Sequence, residues 1–163
     1  MGIISRFKDI MSANINALLD KAEDPEKMID QYLRNLEGDL AKVKQETASV
    51  MAEEAKAKRQ LDECTAEVAK MQSYAEKAVL AGNDEDAKRF LMKKKELVVK
   101  QTSLQETYTL AAENAAKMRQ MHQKLVGDIS QLNSRRDAIK AKIAVAKTQQ
   151  TINKIGASVD GAA

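Results

Sequence analysis

From Ile29 to Ala146 the chain places apolar residues on a seven-residue repeat, and almost nothing interrupts it. Alternate steps of three and four from Ile29 reach Leu33, Leu36, Leu40, Val43, Thr47, Val50, Glu54, Ala57, Leu61, Cys64, Val68, Met71, Ala75 and Ala78. Only Thr47 and Glu54 break that stripe. Further on, a single seven-residue series is apolar throughout: Phe90, Leu97, Leu104, Ala111, Met118, Leu125, Leu132, Ile139 and Ala146. Its companion, from Lys94 through Tyr108, His122 and Arg136 to Ile143, is mixed. A repeat of seven held this long predicts helices wound as a left-handed coiled coil.

The repeat pauses once, at the stretch LAGNDEDAK. Gly82 can end a helix in the left-handed conformation, and Asp84 can cap the next, with Glu85 and Asp86 in its favourable first turn. Gly82, Asn83 and Asp84 are therefore the expected hairpin turn. Asp24 and Pro25, the only proline, read as N-cap and first residue of the preceding helix. The expected fold is all-α: an N-terminal amphipathic helix followed by a long antiparallel coiled-coil helical hairpin. Its segments are an amphipathic membrane-binding helix over 1–23, a first arm over 24–81, the turn at 82–84, a second arm over 85–155 and a flexible tail over 156–163. Folded at Gly82-Asn83, the second arm overshoots the first from about Ala141. Ile143, Val145, Ala146, Ile152 and Ile155 then lack a partner within the hairpin and are the candidate self-assembly residues.

Composition fits long helices rather than an enzyme core: 3% aromatic residues, no Trp, 31% charged. No triad, phosphate loop or metal cluster stands in the sequence, so no enzyme activity, no cofactor and no metal are expected. The net charge of +3 is far from that of a strongly basic nucleic-acid protein. Residues 84–163 do carry fifteen cations against nine acids. Acids are interleaved with them and stacking aromatics are few, so no nucleic acid is expected. One cysteine, Cys64, excludes an intramolecular disulfide and fits a reducing compartment. Cys64 reads as a small buried hydrophobe and His122 as a structural or half-exposed residue. Glu54 reads as a snorkelling or paired carboxylate, and Lys93, Lys94 and Lys95 as a solvated face that can also meet headgroups. No run of about 18 apolar residues is present to span a bilayer.

The opening MGIISRFKDIMSANINALLDKAEDPEK reads as one amphipathic helix stopping at the proline. At 100° per residue Ile3, Ile4, Phe7, Ile10, Met11, Ile15, Leu18 and Ala22 share a broad face. Arg6, Asp9, Ser12, Asn16 and Asp20 lie opposite, and Lys8 sits near the boundary, where it can snorkel to headgroups. Two readings stand: the helix lies in a membrane interface, or it packs on the hairpin or a neighbour. The candidate membrane-binding set is Ile3, Ile4, Arg6, Phe7, Lys8, Ile10, Met11, Ile15 and Leu18.

The opening through DPEKMIDQYLRNLEGDL, the turn LAGNDEDAKRFLMKKKELV and the repeat around them resemble the phage-shock protein A and vesicle-inducing-protein-in-plastids family, the bacterial and plastid branch of the ESCRT-III superfamily. The resemblance covers the chain to about residue 155. Its most specific part is the MG-I-hydrophobic opening followed by DPEKMI at Asp24–Ile29. It implies a membrane-sensing first helix, a rigid hairpin, and homo-oligomers, as rings or helical rods, that bind and remodel or protect anionic phospholipid membranes under envelope stress. The implied location is cytoplasmic, peripheral on the inner face of the cytoplasmic membrane or on thylakoids. In some members the hairpin also inhibits a AAA+ transcriptional activator. Family members usually continue through a linker into further helices, which this sequence lacks. The resemblance therefore implies membrane binding more firmly than assembly.

Overall fold

The computed structural model describes residues 2–162, with side chains described over 2–158. Among these residues the secondary structure is helical, with no strand. A 3₁₀ turn, Ile3–Arg6, leads into α1 (Phe7–Ser12) and α2 (Ile15–Asp20). Two long helices follow, α3 (Pro25–Leu80, 56 residues) and α4 (Asp84–Ala162, 79 residues).

Local chemistry fixes the boundaries. The Asp24 carboxylate accepts a hydrogen bond from Lys27 N–H at 3.3 Å and caps α3, with Pro25 in the first helical position. At the other end Gly82 takes φ 76°. The Asn83 N–H reaches back to Ala78 C=O (2.8 Å) and the Gly82 N–H to Val79 C=O (3.0 Å). This pair of bonds satisfies carbonyls that a helix end otherwise leaves open. The cap of α4 falls one residue earlier than the sequence suggests: Asn83 Oδ1 accepts from Asp86 N–H at 3.1 Å, and Asp84 is the first helical residue. The helix also runs on through Gly156 to Ala162, where a loose tail was expected over 156–163. No proline lies there, and of the described glycines only Gly82 has positive φ.

The contacts divide the chain into two compact units, one of Met1–Ile4 with Lys44–Arg119 and the other of Ser5–Val43 with Gln120–Ala163. In the first unit α3 and α4 pack antiparallel around the turn. Tyr74 and Phe90 bring their rings to 5.4 Å, Lys94 Nζ donates to Gln72 (2.8 Å), and Gln101 donates to Thr65 (2.9 Å). Ala57, Cys64, Ala75 and Ala78 are buried along the α3 side. The small residues allow close approach, and the Cys64 thiol spends its hydrogen on Leu97 C=O at 3.3 Å.

In the second unit the core is larger. Ile29, Leu33 and Leu132 cluster with Ile15 and Leu19 of α2, and Met118's neighbours in sequence, Met121 and Leu125, are fully buried on α4. His122 is exposed, because Met121 takes the buried place one position earlier. Beyond Ile139 every side chain described on α4 is exposed.

Candidate functional site

The opening segment does not form the single helix that its pattern suggests. It breaks at Ala13-Asn14, where Ala13 is extended (φ −64°, ψ 131°). Neither residue is a breaker, but Asn14 is a strong N-cap: its side-chain oxygen accepts from Ala17 N–H at 3.1 Å and starts α2. The physical reason for the break lies in the burial. In a continuous helix Ile10 and Leu19, nine residues apart, point about 180° from one another. In the structure both are buried, at 4% and 2% exposure. A straight helix would turn them to opposite sides, and Leu19 packs with Ile15 on Ile29, Leu33 and Leu132.

Within the second unit, polar contacts fasten this segment to α3 and α4. Arg6 pairs with Asp39 at 3.1 Å. Lys124 Nζ donates to Ala13 C=O at 2.8 Å and to Asp128 at 2.6 Å. Asn16 accepts from Gln131 at 2.8 Å and from Arg135 at 3.4 Å, and Arg135 also lies 3.7 Å from Asp20. Asp39 and Asp128 are buried, so each cation neutralises a carboxylate that is costly to leave unpaired. In the first unit the Glu46 carboxylate accepts from Ile3 N–H at 2.7 Å, and Ile3 is buried. A Cβ on Gly2 would overlap that carboxylate. Sequence reasoning did not single out Asp39, Glu46, Lys124 or Asp128. The available signal was their polarity beside core positions, such as Asp39 between Leu36 and Val43.

The candidate membrane-binding residues are thus divided. Ile3, Ile10 and Ile15 are buried. Ile4, Phe7 and Met11 are half-buried, Leu18 is 40% exposed, and Arg6 and Lys8 are exposed. At the far end of α4 the candidate assembly residues all lie open: Val145 is 70% exposed, Ile155 59% and Ile152 56%, with Ile143 and Ala146 also exposed. Of the expected turn residues, Gly82 and Asn83 lie exposed between α3 and α4 in the first unit, and Asp84 opens α4. Among the described residues no group of acids, His and Cys is placed to hold a metal ion. No described helix is long and apolar enough to cross a membrane.

A phage shock protein A homolog of Bacillus subtilis is 64% identical over 159 residues, covering 98% of this chain and 70% of that protein. The membrane-associated protein Vipp1 of Nostoc punctiforme is 28% identical and that of Synechocystis 29%; the chain spans 59% and 61% of their lengths. The PspA/IM30 family model matches residues 2–163. With that match covering residues 2–163, the chain belongs to the PspA/IM30 family.

Proposed function

We propose that this chain is a peripheral membrane scaffold. Its opening segment inserts an apolar face into the interface of an anionic phospholipid bilayer, and the helices behind it assemble with further copies into rings or helical rods. The polymer binds, remodels or protects the cytoplasmic side of the membrane under envelope stress. The observation that carries the reading is the amphipathic opening segment, which leaves Phe7 and Met11 half-buried and Leu18 exposed, in a chain whose Vipp1 relatives are named membrane-associated.

Assembly is supported by the open end of α4. Ile143, Val145, Ala146, Ile152 and Ile155 stand exposed among Lys140, Lys142, Lys147 and Lys154. Exposed apolar side chains at this density favour burial against another copy. One short interfacial helix binds lipid weakly, and a polymer supplies many copies to one surface. The test is removal of residues 1–22. Co-sedimentation with phosphatidylglycerol vesicles is expected to be lost while circular dichroism still reports long helices. Retained binding would shift the contact to the basic stretches of α4.

A further inference from the structure

In the first unit the outward side of α4 repeats itself over one heptad. Lys88 and Lys95, Leu91 and Val98, and Met92 and Val99 are each seven residues apart, and all six are exposed. They fall within about 120° of the helix circumference. The side facing α3 is taken by Phe90 on Tyr74, by Lys94 on Gln72 and by Gln101 on Thr65. The outer residues therefore add nothing to the hairpin core: Met92 is 67% exposed and Val99 68%. Four large apolar side chains grouped on a solvated face are unfavourable in water unless something covers them.

The charge around the patch selects the cover. From Lys88 to Lys100 six cations stand against one acid, Glu96, which pairs with Lys93 at 3.7 Å. The other acids near this face lie beyond its ends, Asp84 and Glu85 before it and Glu106 after it. A second copy of the same face is a poor cover. Laid antiparallel with Leu91 on Val99, two copies set Lys95 against Lys95; with Leu91 on Met92, Lys88 meets Lys95. An anionic bilayer interface takes the apolar side chains and lets each lysine lay its stem among them with the ammonium at the phosphates. The structure assigns to α4 a second lipid-contact face, Leu91, Met92, Val98 and Val99 interleaved with Lys88 and Lys95. The face runs along only about 17 Å of helix. It is too small to hold the chain on a vesicle alone and acts once the opening segment has bound, so the inference rests on the membrane-binding reading above.

The test uses the full chain and phosphatidylglycerol vesicles that carry a spin-labelled acyl chain. A bimane probe is placed on Val99→Cys, with Cys64→Ser. Its emission is expected to shift to the blue, and to be quenched by the acyl-chain label, only with vesicles present. Emission that vesicles leave unchanged overturns the proposal. So does a blue shift that grows with protein concentration without vesicles, which would give the face to another copy of the chain. In a second arm, Met92→Glu with Val99→Glu sets two carboxylates on the exposed face and is expected to weaken vesicle binding about ten-fold while the helical signal stays. Unaltered binding overturns the second face. If Phe7→Glu also leaves binding intact, the membrane reading itself has failed; if Phe7→Glu abolishes binding while Met92→Glu with Val99→Glu does not weaken it, the second face alone has failed.

Discussion

Two amphipathic segments, α3 and Phe7–Asp20, are built from similar residues and fold differently. Along α3 the apolar positions agree on one direction: from Ile29 to Ala78 every member of the seven-residue stripe is buried or half-buried, and the helix runs unbroken for 56 residues. In the opening segment the large side chains spread over about half the helix circumference, from Ile10 to Leu19. The helix divides at an internal cap, Asn14. A helix stays whole when its apolar residues agree on one neighbour. It divides when its apolar residues point in opposed directions.

The comparison breaks most visibly in the core that both segments share. Leu132 is fully buried against Ile29, Leu33 and the α2 residues. Leu132→Ala is expected to cost about 2–5 kcal/mol, read as a lower midpoint in chemical denaturation. Leu19→Ala removes a side chain just as buried, but from a six-residue helix. Its loss is expected to be smaller, about 1–2 kcal/mol, because undocking limits it. Hydrogen exchange should then rise over Phe7–Asp20 and stay slow in α3. Equal losses for Leu132→Ala and Leu19→Ala would mean that the segment is as fixed as α3.

These contrasts show what the sequence made legible. The long helices, their antiparallel pairing and the turn followed from a stripe with one consistent period and from Gly82, the position where positive φ is required. The break at Ala13-Asn14 did not, because Ala, Asn and Ile carry no breaker signal and the pattern is compatible with a straight helix. The cue was the cap potential of Asn14 together with the opposed positions of Ile10 and Leu19. The polar contacts of Asp39, Glu46 and Lys124 lay further from view, since sequence spacing does not disclose which residues of one helix meet a distant segment.

Smaller effects sharpen the picture. A Cβ added at Gly38 or Gly127 meets nothing within 4 Å. Each Gly→Ala change is expected to stabilise the protein by about 1 kcal/mol through helix propensity alone. If the double variant melts higher yet forms polymers of altered diameter under the electron microscope, the glycines serve curvature or close packing between copies. Polymers of unchanged shape leave them as tolerated surface residues. Raising salt should weaken vesicle binding only modestly when apolar insertion dominates. A steep fall would move the main contact to Lys93–Lys95 and the basic stretch from Arg135 to Lys147.

The most direct measurement is vesicle co-sedimentation of Phe7→Glu beside the unaltered chain. Phe7 is half-buried at the start of α1, and Met11 lies one turn further along the same helix. A carboxylate there cannot enter an apolar interface without a large desolvation cost. Binding to phosphatidylglycerol vesicles is expected to collapse while the helical signal and thermal midpoint remain near those of the unaltered chain. Undiminished binding by a fully helical Phe7→Glu protein would contradict insertion by the opening segment.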